Sequence, residues 1–233
     1  MPQGICRDAP RARSTSHKLS FFVFMRIVLV STSPRRREIL ALLGLRFEVI
    51  APQFDELPLR DRPIREEVRD FAIGKALSVV SDHPKSIVVA SDTMILIDAT
   101  KVGKPAGTAD ANQMLRLLSG KTHRIFTSVA ILDDLGGPGL TMVEEVSVKM
   151  RNYSMQEIER YLSCDESLDK AGGYSIQGQG RNLIESICGD YLAAVGLPLK
   201  PIADYLKSRG ISVPSDIDKL YSDKSFLNWK SFS

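Results

Sequence analysis

The 233-residue chain lacks the patterns that mark several large classes of protein. It has three cysteines, Cys6, Cys164 and Cys188, and none of them belongs to a Cys-x-x-Cys pair. An odd and scattered set of this kind argues against a disulfide framework and against structural zinc, and it is typical of the reducing cytoplasm. The three histidines are also far apart in the sequence and form no metal-binding pattern.

Long apolar runs and an excess of one charge are also missing. No segment approaches the roughly 20 apolar residues needed to span a bilayer. The net charge is +3, and the basic residues lie among acidic ones rather than in blocks. This balance gives no reason to expect nucleic acid or a membrane surface as a partner. Internal repeats are absent, and the composition is that of an ordinary globular protein.

The first 24 residues differ from the rest of the chain. They are rich in arginine and serine and contain one acid, Asp8, which is a composition found in transit peptides. However, Met25 directly precedes an apolar strand pattern and is itself a plausible start of a cytoplasmic protein. We expect residues 1–24 to be a disordered extension or the product of an upstream start codon, with targeting as the alternative.

What is present is an alternation of strand and helix patterns, which predicts an α/β protein. Strands are predicted over 27–30, 47–50, 87–97 (as one strand or two), 122–132, 140–150 and 184–195. Helices are predicted over 35–43, 63–80, 108–118 and 198–208, and a further helix begins at the capping box 154–157. The two strands on either side of the glycine-rich segment 136–139 predict a β-hairpin.

The run from Ser31 to Glu38 lies where the first strand turns into the first helix. Free N–H groups and the positive end of a helix dipole make such a turn a natural site for anions. The planar fork of arginine suits phosphate, so Arg35 and Arg36 indicate a phosphorylated small molecule. A plain helix start, with Ser33 as the N-cap and Pro34 as the first residue, explains the same pattern without a ligand.

Acidic residues follow or interrupt two of the predicted strands. Asp92 lies in the middle of a long apolar run, where a carboxylate is unfavourable unless it is paired or binds a cation. Glu56 follows the second strand, and such loops line the ligand crevice of α/β sheets. Together they offer hard oxygen ligands suited to Mg²⁺. A solvated acid in a turn is the alternative for each of them.

Two lysines and a glycine-rich loop complete the set of candidates. Lys75 lies close to the apolar stripe of the second helix, and Lys104 lies in a tight loop after the strand of Asp92. With Arg35 they could form a cationic cradle for a triphosphate, although each lysine alone reads as a solvated charge. In the loop 169–178, Gln177 offers a donor and an acceptor to a nucleobase edge.

At this point the chain resembles a known family, the Maf-like nucleotide pyrophosphatases, also called septum formation proteins. The resemblance runs from about residue 25 to about residue 210. Segments 189–191 and 195–199 add to the match. Its main blocks are S-x-S-P-R-R-x-E over 31–38, S-D-T over 91–93, G-K-P over 103–105 and D-K-A-G-G-Y-S-I-Q-G over 169–178.

The resemblance implies hydrolysis of nucleoside triphosphates to the monophosphate and pyrophosphate with a divalent cation, Mg²⁺ or Mn²⁺. By motif position, Asp92 would activate water and also bind the metal together with Glu56. The phosphate or transition-state contacts that it implies are Ser31, Ser33, Arg35, Arg36, Lys75 and Lys104.

The resemblance also implies the architecture and the setting of the protein. We expect a mixed, twisted β-sheet with flanking helices, in two lobes around a nucleotide-binding cleft. The catalytic domain would span residues 25–210, with 211–233 as a polar tail. A cytoplasmic homodimer that removes non-ordinary nucleotides is the implied form and role.

Three positions indicate the branch of the family. Arg35, Thr93 and Gln177 fit the branch that prefers dTTP and UTP. The branch that acts on 7-methyl-GTP typically has Gln after the catalytic Asp and Ser-Glu-Gly in place of 176–178. A regulator of septum formation that binds nucleotide without turnover is the other alternative. The presence of Asp92, Glu56, Lys75 and Lys104 together argues against it, because a sensor needs no water-activating acid beside a metal ligand.

Overall fold

A computed structural model of the chain describes residues 25–57, 61–133 and 139–232. The strands are β1 (Arg26–Val30), β2 (Glu48–Ile50), β3 (Ser86–Ile97), β4 (Thr100–Val102), β5 (Thr122–Asp133), β6 (Leu140–Met150) and β7 (Ile184–Cys188). The helices are α1 (Pro34–Ala41), α2 (Ile64–Val80), α3 (Thr108–Leu118), α4 (Met155–Leu162), α5 (Tyr191–Val195), α6 (Leu199–Ser208) and α7 (Ile217–Asp223). Short 3-10 turns cover Ala171–Gly173, Gln179–Leu183 and Trp229–Phe232.

The strands form one mixed sheet in the order β2-β1-β3-β5-β6-β7, and β4 pairs with β3. β1 is parallel to both β2 and β3, whereas the remaining pairs are antiparallel. The expected mixed sheet with flanking helices is therefore confirmed. The predicted pairing of β5 with β6 is confirmed as well, in a register that runs from Thr122 opposite Lys149 to Ile131 opposite Leu140.

Apolar side chains cover both faces of β1 and of the first half of β3. Ile27 and Leu29 join the largest core cluster, while Val28 and Val30 pack with Ala72 on the α2 side. A strand that is buried on both faces reads as a continuous apolar run rather than an alternating pattern. Each such side chain contributes about 1.5–3 kcal/mol by burial, so this part of the sheet is a firm base for the residues that follow.

The central strand β3 changes its neighbour along one edge. β5 covers the other edge for almost the whole length of β3. On the first edge, β1 pairs with β3 as far as Ala90, and β4 pairs with it from Ile95 onward. Residues 91–94 therefore face a gap between two neighbouring strands, at the carboxyl end of β1. Ligands of α/β proteins bind at such ends of parallel strands.

The predicted strand over 184–195 is wrong in its second half. β7 ends at Cys188, and α5 follows after a sharp turn. Gly189 takes a φ of 122°, which side chains disfavour, and Asp190 accepts hydrogen bonds from two N–H groups in the first turn of α5. Every residue of α5 is buried, so its sequence has no polar face to reveal a helix.

The C-terminal residues pack onto the core. α7 buries Ile217 and the last 3-10 turn buries Trp229, whose ring stacks on Tyr191 with centroids 5.2 Å apart. The segment 211–233, expected to be a tail, thus contains ordered structure, while the domain boundaries stay a prediction. The expected extension over 1–24 lies outside the described residues. No helix in the described part of the chain is long and apolar enough to cross a membrane.

Candidate active site

A cleft with a cavity of about 370 Å³ lies at the gap in the edge of β3. Its walls come from the start of α1, β3, the loop after β4, the glycine-rich loop and the end of α5. Ser31 and Lys75 lie behind its surface and contact residues that line it. The predicted site residues that line it directly are Ser33, Arg35, Arg36, Glu56, Asp92, Thr93, Lys104 and Gln177.

Two carboxylates share one buried ammonium group beside the cleft. Lys75 Nζ lies 2.5 Å from Asp92 Oδ1 and 2.6 Å from Glu56 Oε1. Lys75 lies on the face of α2 that packs on the sheet, and both Lys75 and Asp92 are only 4% exposed. This contact explains why Lys75 lies so close to the apolar stripe of its helix. A carboxylate buried this deeply requires a compensating cation.

The environments of these two acids move their pKa values in opposite directions. Burial raises the pKa of Asp92, against the attraction of Lys75 and Arg36. Partial burial acts in the same direction on Glu56, but Lys75, Lys104 and Arg36 together hold the pKa of Glu56 below its usual value. Acids separated in this way suit different roles. Asp92 is the better proton acceptor, and Glu56 stays ionised beside a cation.

Arg36 connects α1 to α5 and to the sheet. Its Nε donates to the Gly196 carbonyl at 2.9 Å, and its Nη2 donates to Thr93 Oγ1 at 3.1 Å. Thr93 Oγ1 lies 3.1 Å from Thr127 Oγ1, which donates to the Ala193 carbonyl at 2.8 Å. Because Thr127 has one hydroxyl hydrogen, Thr93 donates to Thr127 and accepts from Arg36. This chain of bonds fixes a positive charge next to the acid pair.

The turn before α1 has the predicted form. Ser33 is the N-cap residue and Pro34 is the first residue of the helix. The N–H of Ser33 donates to Ser31 Oγ at 3.0 Å, so the buried Ser31 supports the turn from below. Arg35 reaches across the cleft to Asp169, with Nη1 and Oδ2 3.2 Å apart. The turn therefore presents Ser33 and Arg35 to the cleft, while Ser31 has a structural contact.

The cleft has a charged lining and an apolar lining. The charged lining consists of Arg35, Arg36, Glu56, Asp92, Lys104, Asp169 and Lys170. The apolar lining includes Met94, Ile95, Ile125, Tyr174 and Ile176. A charged lining beside an apolar one suits a ligand with an anionic part and a flat, weakly polar part.

Gln177 belongs to the same glycine-rich loop as Tyr174 and Ile176. Its Nε2 is buried and has no hydrogen-bond partner among the described residues. The loop can come this close to β3 because Gly172 has a φ of 73° and no side chain, since a Cβ there would lie 2.9 Å from Ile95.

His123 supports the apolar lining from behind. Its Nε2 lies 2.7 Å from the hydroxyl of Tyr174, and the two rings meet edge to face. Burial lowers the pKa of His123 to about 4, so the imidazole is neutral at pH 7. Its Nδ1 has no partner among the residues that the structure describes.

Several residues with site contacts were not identified from the sequence. Asp169, Gly196 and His123 hold site residues in place. Asp169 and Gly196 lie in segments that carry the family resemblance, but no signal in the sequence indicates the contacts that these three residues make. The sequence does contain a signal for Thr127. Thr127 and Ser128 are polar residues within the apolar run of β5, just as 91–93 are polar residues within the apolar run of β3. The register places these polar residues directly opposite one another, with Asp92 beside Ser128 and Thr93 beside Thr127.

The acid pair is a fitting donor set for a hard divalent cation. In the described part of the chain no group of three or more His, Cys, Asp or Glu side chains forms a metal cluster. Mg²⁺ is commonly bound through one or two carboxylates, with waters and substrate phosphates as the other ligands. Glu56 and Asp92 meet that requirement, whereas a zinc site would need nitrogen or sulfur ligands.

Comparison with known proteins gives a consistent set of matches. A family model described as "Maf-like protein" matches residues 26–209. A dTTP/UTP pyrophosphatase of Dictyoglomus thermophilum is 40% identical over 189 residues, which cover 80% of this chain and 97% of that protein. A dTTP/UTP pyrophosphatase of Clostridioides difficile is 39% identical over 183 residues, which cover 78% and 94%. The structure of a HAM1 protein from Coxiella burnetii aligns with a TM-score of 0.44 and 14% identity, over 79% of this chain and 99% of that one.

Proposed function

This chain belongs to the Maf-like protein family, and we propose that it is a nucleoside triphosphate pyrophosphatase acting on dTTP and UTP. The reaction cleaves the bond between the α- and β-phosphates with water and yields the monophosphate and pyrophosphate. The observation that carries this proposal is the pair of acids, Glu56 and Asp92, that share Lys75 and have opposite pKa shifts.

Asp92 is the proton acceptor in this mechanism. Burial raises its pKa, which makes its carboxylate a stronger base at neutral pH. Water positioned beside it loses a proton to the carboxylate as its oxygen attacks phosphorus, and the electron pair of the broken bond leaves with pyrophosphate. Lys75 keeps the acid ionised before the reaction and compensates the charge that remains in the buried site.

Glu56 and Asp92 are the residues that would hold a divalent cation, Mg²⁺ or Mn²⁺. Such a cation neutralises negative charge on the phosphates when it is bound. The ionised state of Glu56, which its cationic neighbours favour, suits this role. Because the chain supplies two carboxylates here, the phosphates of the substrate would complete the ligand set.

Cations of the protein take the remaining phosphate charge. Lys104 lies in the loop after β4, and Arg35 and Arg36 lie in the first turn of α1. Arginine pairs with phosphate oxygens through two parallel N–H groups, and a helix N-terminus adds its dipole. Ser33 and Thr93 place hydroxyl groups in the same lining.

Gln177 would recognise the pyrimidine. Uracil and thymine present a carbonyl acceptor next to an N–H donor, and a side-chain amide matches both groups with its own donor and acceptor. The position of Gln177 in the lining of the cleft supports this role. The apolar lining around Tyr174 and Ile176 would contact the flat faces of the base.

The cytoplasm and a homodimer belong to the same proposal, because the family resemblance implies both. The scattered cysteines support a reducing compartment. Sedimentation equilibrium of the purified chain measures the oligomeric state directly, with a mass of about twice the 25.8 kDa of one chain expected.

The test is pyrophosphate release from dTTP, UTP, CTP, GTP and 7-methyl-GTP, measured with Mg²⁺ and with Mn²⁺. We expect turnover of dTTP and UTP with pyrophosphate as the product. Turnover of 7-methyl-GTP alone would keep the reaction but contradict the assignment of Thr93 and Gln177. Binding without turnover of any nucleotide would support a nucleotide sensor and overturn the proposed enzyme.

A further inference from the structure

The C-terminal segment, defined here as residues 217–232, contacts two walls of the cleft. The match to the family model ends at residue 209, so this segment lies beyond the part of the chain that the family pattern covers. It consists of α7 and the last 3-10 turn, with Ile217 and Trp229 buried in the core. Its contacts therefore add to the site something that the family motifs do not contain.

The first contact is with the loop of Gln177. The side-chain amide of Asn228 donates to the backbone carbonyl of Gln177 and lies 3.5 Å from that of Ile176. Asn228 has a φ of 63°, a left-handed conformation that asparagine tolerates better than most residues. One side chain thus holds two successive carbonyl groups at the point where Ile176 and Gln177 line the cleft.

The second contact is with α5. Trp229 stacks on Tyr191, and the hydroxyl of Tyr191 donates to the carbonyl of Leu227. Tyr221 of α7 donates to Asp190, the N-cap residue of α5, at 3.0 Å. Because α5 ends in residues that line the cleft, the segment supports both the glycine-rich loop and this helix.

We propose that Asn228 is a positioning residue for base recognition. By holding the backbone carbonyls of residues 176 and 177, it fixes where the Gln177 side chain projects into the cleft. Asn228 does not line the cleft, and it acts through Gln177. This inference rests on the proposed function, since it assigns the accuracy of pyrimidine binding to a residue outside the family pattern.

The variant that tests it is Asn228→Gly, because glycine keeps the left-handed backbone and removes only the amide. We expect the KM for UTP to rise about fivefold, the equivalent of one lost hydrogen bond, with kcat unchanged. The preference for UTP over CTP should fall by a similar factor. Asn228→Asp places acceptors against two carbonyls and should raise KM further.

The matched control is Lys224→Gly. Lys224 lies in the same segment and also has a left-handed backbone, with a φ of 48°. We expect the KM, kcat and base preference of the Lys224→Gly variant to equal those of the wild type. Loss of kcat on all nucleotides together with a lower Tm in Asn228→Gly would indicate general structural support and overturn the inference.

Kinetic and binding measurements together distinguish a failure of this inference from a failure of the proposed function. If the wild type hydrolyses UTP while Asn228→Gly has the wild-type KM and base preference, the inference is wrong and the enzyme assignment stands. If the wild type binds UTP without turnover, the enzyme assignment is wrong, and calorimetric Kd values for UTP and CTP test Asn228 alone. Weaker UTP binding by Asn228→Gly than by the wild type, with a reduced preference over CTP, would then support the positioning role of Asn228. Unchanged Kd values would overturn that role.

Discussion

The charged and apolar linings of the cleft are supported in different ways. Asp92 stands on the central strand, and ion pairs and hydrogen bonds from α1 and α2 hold its surroundings in place. Tyr174 and Gln177 stand on a glycine-rich loop that depends on His123 and Asn228 behind it. The contrast indicates that the base Asp92 is fixed by regular structure, whereas the recognising groups are fixed by individual braces.

Removing the base should give the largest effect. We expect Asp92→Asn to lower kcat by about 10³-fold, within the range that a general base contributes, and to leave nucleotide binding largely intact. Pyrophosphate release and calorimetric binding measure the two effects separately. Ser128→Ala, directly across the strand pair, is the control and should retain turnover. Near-normal activity of Asp92→Asn would contradict the assignment of Asp92 as the catalytic base.

The apolar lining should be the acid-sensitive part of the molecule. The pKa of His123 is lowered from 6.5 to about 4 in the folded state, so the unfolded chain binds the proton first as the pH falls. Between pH 7.5 and pH 5 the folded state should lose roughly 2 kcal/mol of stability from this group. Denaturant unfolding of the wild type and of His123→Gln measures it. An equally steep pH dependence in the variant would contradict the argument.

Loss of the recognising amide should have a smaller effect that is confined to selectivity. We expect Gln177→Ala to reduce the preference for UTP over CTP about tenfold, since a buried amide then no longer pairs with the base. The value of kcat/KM for each nucleotide is the measurement. Gln179→Ala, an exposed neighbour, serves as the control. A uniform loss of rate on both nucleotides would show that Gln177 belongs with the charged lining.

The smallest effect should come from the N-terminus. Deletion of residues 1–24 should leave kcat, KM and Tm unchanged, because the family match begins at residue 26. A large loss of kcat or of folding would show that these residues belong to the domain.

Much of the charged lining was predictable because its residues break a pattern. Asp92 is conspicuous in an apolar strand, and two arginines at a helix start are conspicuous as well. Thr127 breaks its strand in the same way and was overlooked. The sequence places Lys75 beside an apolar stripe. Its pairing with both acids could not be predicted, because that pairing depends on how α2 packs on the sheet.

The parts that were not predictable depend on contacts distant in sequence. His123 and Tyr174 meet across 51 positions, and Asn228 and Gln177 also meet across 51, without any local pattern that links them. The sequence predicts strand where α5 lies, because complete burial removes the polar face that identifies a helix. The C-terminal segment is predicted to be a tail because its apolar residues follow no clear helical or strand period, although Trp229 stacks on Tyr191 and Ile217 is buried in the core.

The unbroken run of β3 past the gap has a consequence for how this protein can diversify. β5 pairs with β3 both before and after Asp92 along the strand, so few substitutions at this position leave the sheet intact. Gln177, the residue assigned to base recognition, sits outside the regular elements, where exchange of residues is tolerated more easily. Selection or engineering can therefore change the nucleotide preference without replacing the catalytic base or the strand that carries it.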